Sequence, residues 1–157
     1  MKKNAVQPTG ALAILAILVV GCVPNTSSTP KAGEAMSLAI IEPYLTIQTA
    51  LAKDSIDEVK ASAGHVATAA TSLGAPAIRI DTAAVQLASA ADLADAREKF
   101  GTLSDAIVNY MDGLHITPPD GVRIAFCPMA KKPWLQQGST LANPYYGSTM
   151  PTCGSFR

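Results

Sequence analysis

Between Leu93 and Leu114 the apolar residues fall at Leu93, Ala96, Phe100, Leu103, Ile107, Tyr110 and Leu114, in steps of three and four. A helix gathers positions so spaced into one stripe, whereas a strand would scatter them over both faces. At about 1.5 Å per residue such a helix is roughly 33 Å long. A rod of that length with one apolar stripe must bury it against other elements. Asp92, just before the first apolar position, is a candidate N-cap.

Three further segments upstream share the helical period. Ile40, Tyr44, Ile47 and Leu51 line one face of the first, with Pro43 marking a start or a kink. Val59, Ala63, Val66 and Ala70 form the second, which should end before Gly74-Ala75-Pro76. Asp54 or Ser55 is its candidate cap, and Glu58 stands three residues after Ser55 as in a capping box. Ile80, Ala84, Leu87 and Ala91 mark the third, weaker segment, with Asp81 as its candidate cap. Short connections favour antiparallel neighbours, so the predicted fold is all-α, an up-down four-helix bundle with alanines permitting close approach.

Thr117-Pro118-Pro119-Asp120-Gly121 breaks the helical pattern, and its Asp-Gly step predicts a turn. Val122 to Phe126 alternates like a short strand. From Cys127 to Arg157 the chain holds its only Trp, two adjacent Tyr, two Met, four Pro and two of its three Cys. Pro and Gly at this frequency restrict the backbone without favouring regular structure, so an irregular C-terminal cap is expected.

The N-terminus reads as an export signal. Met1-Lys2-Lys3 precedes the apolar run Ala11–Val20 and then Val19-Val20-Gly21-Cys22. That run reaches only about half of a ~30 Å hydrocarbon core. The last four residues resemble a bacterial lipoprotein box, in which Cys22 receives lipid and becomes the new N-terminus. Val23 follows it, where an Asp would suggest retention in the inner membrane. The expectation is a signal peptide at 1–21, a lipidated Cys22 with a Pro/Ser/Thr tether through residue 33, and a domain at 34–157. That domain would lie on the periplasmic face of the outer membrane, its membrane partner reached through the lipid.

Loss of residues 1–21 removes Lys2 and Lys3, leaving 10 of the 12 basic residues against 12 acidic ones. A near-neutral chain without a basic block is not expected to bind nucleic acid. There is no Ser-His-Asp order in a known setting, no phosphate loop and no His-rich zinc spacing, so a non-enzymatic role is expected. His65 on the second helix and His115 after the fourth lack spaced partners and read as surface or helix-terminal residues. Asp57/Glu58 and Asp92/Asp95 read as first-turn charges that favour the helix dipole.

The run C-P-M (from Cys127), W-L (from Trp134), N-P-Y-Y-G (Asn143 to Gly147) and M-x-x-C-G (Met150 to Gly154) resembles an uncharacterised bacterial domain. That domain occurs alone in exported proteins and fused to periplasmic adaptor subunits of copper/silver-type heavy-metal efflux pumps. The resemblance spans roughly residues 36 to 154, with Y-L-x-I-Q-x-A-L-A-x-D from Tyr44 and A-R-x-x-F from Ala96 in the helical part. Pro151 stands where the family usually has Leu. The resemblance implies heavy-metal handling beside an efflux system as partner.

Thiolate and thioether sulfurs are soft donors that select Cu(I) and Ag(I). Cys127 and Met129, two apart in an extended segment, would share a face, and Met150 and Cys153 could converge in a turn. All four are candidate ligands, with Trp134 closing the site through a cation–π contact. The oxidising envelope favours a second reading, in which Cys127 and Cys153 form a structural disulfide. Met129, Trp134, Tyr145 and Tyr146 would then pack over the bundle or face a partner.

Overall fold

The computed structural model describes residues 35–157. The signal segment, Cys22 and the tether lie outside the described residues. Four helices are present, α1 (Leu38–Ala52), α2 (Val59–Ser72), α3 (Ile78–Ala88) and α4 (Leu93–Leu114), followed by strands β1 (Val122–Cys127), β2 (Lys132–Gln137) and β3 (Ser155–Phe156). The fold is therefore α+β. This corrects the expected all-α bundle with an irregular cap: the tail contributes two of the three strands.

Two of the four helix starts differ from expectation. Asp92 caps α4 as read from the sequence, its Oδ1 accepting the Asp95 N–H at 2.9 Å. At α2, however, no side chain caps the helix and Glu58 takes a left-handed conformation at φ 63°. Ser55 Oγ instead accepts the Asp57 N–H at 3.0 Å, and Asp54 is engaged elsewhere. Helix α3 grows from a 3-10 turn at Ala75–Ala77, so Asp81 lies in its first turn and does not cap it. Pro43 sits inside α1 without ending it.

Helix α1 packs on α2, α2 on α3 and α3 on α4, while strand β2 lies against both α4 and α1. Ala63, Ala70, Ala84 and Ala96 are buried and allow the close helix approaches that the sequence suggested. The α1–α4 seam is different. Tyr44 and Phe100 stack there at 5.1 Å between ring centroids, and the bulk they introduce is closed over by the hairpin.

The sheet order is β2-β1-β3, all antiparallel, with Ala125 opposite Trp134 and Phe126 opposite both Pro133 and Ser155. The Asp120-Gly121 turn leads into it, with Gly121 at φ 79° and Val122 N–H donating to Pro119 O at 3.0 Å. Gly138 N–H donates to Gly121 O, which fixes the parity of the ladder and turns Pro133 and Leu135 toward the outer edge of β2. Proline is tolerated there because its missing N–H would have faced away from β1. The same edge is covered by two tyrosines. Leu135 N–H donates to the Tyr44 hydroxyl at 3.1 Å, and the Tyr145 hydroxyl donates to Pro133 O.

The fully buried Tyr44 hydroxyl also pairs with Ser104 Oγ of α4 at 2.6 Å, so it joins α1, α4 and β2. Burial drives the phenol pKa upward, and the group stays neutral. Tyr44→Phe should destabilise the protein by about 1–3 kcal/mol, because a buried Leu135 N–H loses its acceptor. Ser104→Ala, which leaves that acceptor in place, should cost less. Urea unfolding of both variants checks the order.

Candidate functional site: paired thiols under a clamped tail

Cys127 is the last residue of β1, fully buried, and Cys153 is half-buried just before β3; both are free thiols. Antiparallel pairing of Phe126 with Ser155 brings the two cysteines together. The Cys153 pKa is raised, first by burial and then by the neighbouring Cys127. Gly154 makes the approach possible. Its φ is 143°, and a Cβ there would lie 2.6 Å from Trp134 Cη2 and 2.9 Å from Phe126 O.

Cys127 Sγ accepts two N–H groups, from the Ala130 backbone at 3.4 Å and from Asn143 Nδ2 at 3.3 Å. The first follows from the turn at residues 128–131, which Lys131 closes at φ 55°. The second comes from a fully buried Asn that uses every part of its amide. Its Nδ2 also donates to Cys153 O at 2.7 Å, and its Oδ1 accepts the N–H of Tyr145 at 2.8 Å and of Tyr146 at 3.3 Å. Asn143 thus ties both cysteines to the Pro144-Tyr145-Tyr146 corner.

That corner is fastened to the helices. Arg97 of α4 donates through Nε to Pro144 O at 3.1 Å, and through Nη2 to Leu51 O at 3.0 Å and Asp54 Oδ1 at 2.5 Å. Asp54 Oδ2 accepts the Ser148 N–H at 3.1 Å. Gln48 Nε2 of α1 donates to Ala142 O at 2.7 Å. Gly147, at φ 51°, is the closest point: a Cβ there would land on Asp54 Oδ1 and Arg97 Nη2. The aromatic rings continue the seam, with Phe100 to Tyr145 at 5.8 Å and Trp134 edge-on to Tyr145 at 6.1 Å.

The candidate residues therefore separate. Cys127 and Cys153 meet. Met129 does not join them, since β1 ends at Cys127 and Met129 rides in the turn, 62% exposed. The shared face expected for an extended Cys-Pro-Met is lost with the strand. Met150 is half-buried one turn before Cys153, its carbonyl accepting the Cys153 N–H at 3.3 Å. Trp134 is wholly buried, its indole N–H donating to Gln136 Oε1 at 3.0 Å, which makes it a packing residue beneath Gly154. Tyr145 is buried and Tyr146 half-buried. His65 is exposed, and His115 is exposed in a left-handed position at the end of α4. Among the described residues no group of three or more His, Cys, Asp or Glu side chains converges as a metal-binding set.

Gln48, Asp54, Arg97 and Asn143 carry the network; all four lie in the runs that carry the family resemblance and Asp54 was read as a helix cap, but none was read as a site residue. Gln48 had a trace: it is polar and lies next to Ile47 on the buried side of the first helix. A cleft of about 280 Å³ is lined by Arg97, Gly101, Ala130, Lys132 and Tyr146 among others, and by neither cysteine. Both of its cations are paired, Arg97 with Asp54 and Lys132 with Asp105. No protein-family model, curated protein or solved structure matches the chain.

The Ser148 side chain, the Arg97 guanidinium and the Ser148 amide hold the Asp54 carboxyl at about 2, below its ordinary 3.8. Its stabilising contribution is complete above pH 4 and disappears as pH falls through about 2. Asp54→Asn should flatten the acid-unfolding profile across that window, leaving the smaller contribution of Asp95, which Lys99 and the Ala91 amide also lower. Gly147→Ala should destabilise the protein by about 2 kcal/mol or more, since it combines a left-handed backbone with a blocked ion pair. Thermal unfolding at neutral pH reads that loss.

Proposed function

We propose that this protein is a non-catalytic, lipid-anchored module of the bacterial envelope that carries Cu(I) or Ag(I) on the Cys127–Cys153 thiol pair. The observation that carries the reading is the meeting of two free thiols, one of which accepts two N–H donors. Hydrogen bonds of that kind stabilise negative charge on sulfur, which a soft cation requires. Two thiolates suffice for a low-coordinate monovalent ion, and Met150, whose carbonyl accepts the Cys153 N–H, would add a thioether. Met129 lies outside the site. The resemblance to domains fused to copper/silver pump adaptors supports an efflux system as the partner, and Gly21-Cys22-Val23 supports the periplasmic face of the outer membrane. Because Cys153 is held protonated by its surroundings, binding must release a proton, and affinity should rise with pH.

The same juxtaposition favours one further reading. In an oxidising compartment the pair closes as a disulfide, contributing about 3 kcal/mol through the loop it ties. The module would then act through its surface alone.

An anaerobic Cu(I) competition titration of the mature protein, with thiols counted before and after reduction, tests the proposal. One-to-one binding that Cys127→Ser abolishes, Met150→Leu weakens and Met129→Leu leaves unchanged is the expected result. Absence of binding by the fully reduced protein overturns it in favour of the disulfide-closed module.

A further inference from the structure

The helices carry most of their charge at one end. Residues 53–60 hold five charged side chains and residues 92–99 hold five, whereas Ala35 to Ile41 and Val66 to Ile78 hold none. Six residues join α1 to α2 and five join α2 to α3, so successive helices run antiparallel. The start of α1, the end of α2 and the start of α3 therefore share the sparsely charged end. The end of α4 joins them, because Ala35 bridges Thr117 and Met36 N–H donates to Thr117 O at 2.8 Å.

Two of the most exposed large apolar side chains lie at this end, Leu38 at 56% and Ile78 at 59%. Leu73 is half-buried and Pro76 exposed between them, and Arg79 follows as an exposed cation. Asp81 lies in the first turn of α3, and Asp112 and Asp120 flank the end on the α4 side. The same end is where the chain leaves for its N-terminus. Twelve residues separate Cys22 from Ala35, a reach of at most about 40 Å when fully extended.

We infer that this end of the bundle rests on the lipid surface, with Leu38 and Ile78 entering the interface and Arg79 meeting lipid phosphate. The inference rests on the lipid anchor at Cys22 proposed above. An anchor emerging beside a sparsely charged, partly apolar end keeps that end within reach of the bilayer. The charged end, on which Asp54 and Arg97 fasten the tail, then points toward the periplasm. Apolar side chains and a cation on one face are what interfacial binding uses, and the lipid holds them at the surface.

The test uses the full chain, processed in cells and reconstituted in phosphatidylethanolamine–phosphatidylglycerol vesicles. Ile78→Trp and Val85→Trp place reporters at exposed positions on α3, the second about two turns further from the end. Buried Trp134 gives both the same background. With brominated acyl chains, Ile78→Trp should lose most of its added emission and shift to the blue, while Val85→Trp keeps its own. The mass of the Cys22 peptide is measured on the same samples. A lipid-bearing peptide with equal, negligible quenching at both positions overturns the docking and leaves the anchor standing. A peptide without lipid overturns the anchor and the docking with it.

Discussion

The Tyr44 hydroxyl is the point on which the assembly of this protein turns. It belongs to α1, pairs with Ser104 of α4, and accepts the outward N–H of Leu135 on β2. Without it the α1–α4 seam would hold two stacked phenyl rings facing an edge strand with an unmet donor. With it the hairpin becomes the closing element of the helical layer. Pro133 and Tyr145 complete the same edge, one by lacking a donor and the other by supplying one. An edge so covered offers no free ladder to another strand.

Most of the unusual residues of the tail are spent on this attachment. Trp134, Tyr145 and Gly154 pack, Asn143 and Gly147 hold the backbone, and Arg97 and Asp54 pin the corner to the helices. What they leave chemically uncommitted is the pair of thiols. Cys127 is held in a fixed polar setting by Ala130 and Asn143, and Cys153 faces it from the half-buried side. A rigid frame of this sort positions two sulfurs closely without having to order them at the moment of binding, which favours association. The frame serves a bound ion and a disulfide equally well, so sulfur oxidation state decides between the two readings.

Legibility in the sequence follows the range of the interactions concerned. The α4 stripe, the Asp92 cap, the end of α2 before Gly74 and the Asp120-Gly121 turn depend on residues within one or two turns, and all were readable. The caps assigned to Ser55 and Asp81 failed although they are local. Asp54 was drawn across the molecule to Arg97 and Ser148, and a 3-10 turn moved the start of α3. Beyond Cys127 the frequency of Pro and Gly suggested irregularity. Pairing with β1 overrode it, because Pro133 falls where no N–H is needed and Gly154 lets β3 pass close to Trp134.

Four amphipathic helices, their antiparallel order, a strand at Val122–Phe126 and a tail rich in soft donors follow from the order of residues alone. Each is a matter of period, capping or composition, carried by neighbours along the chain. Packing in three dimensions settled that the helical layer closes on a sheet and that Cys127 meets Cys153 while Met129 stands apart. It also decided that Tyr44, Arg97 and Asn143 bind the parts together. Those outcomes depend on strand register and on contacts between residues up to 94 positions apart, as between Gln48 and Ala142. No local pattern encodes such separations, because each is fixed by how the elements pack and not by what any one of them prefers.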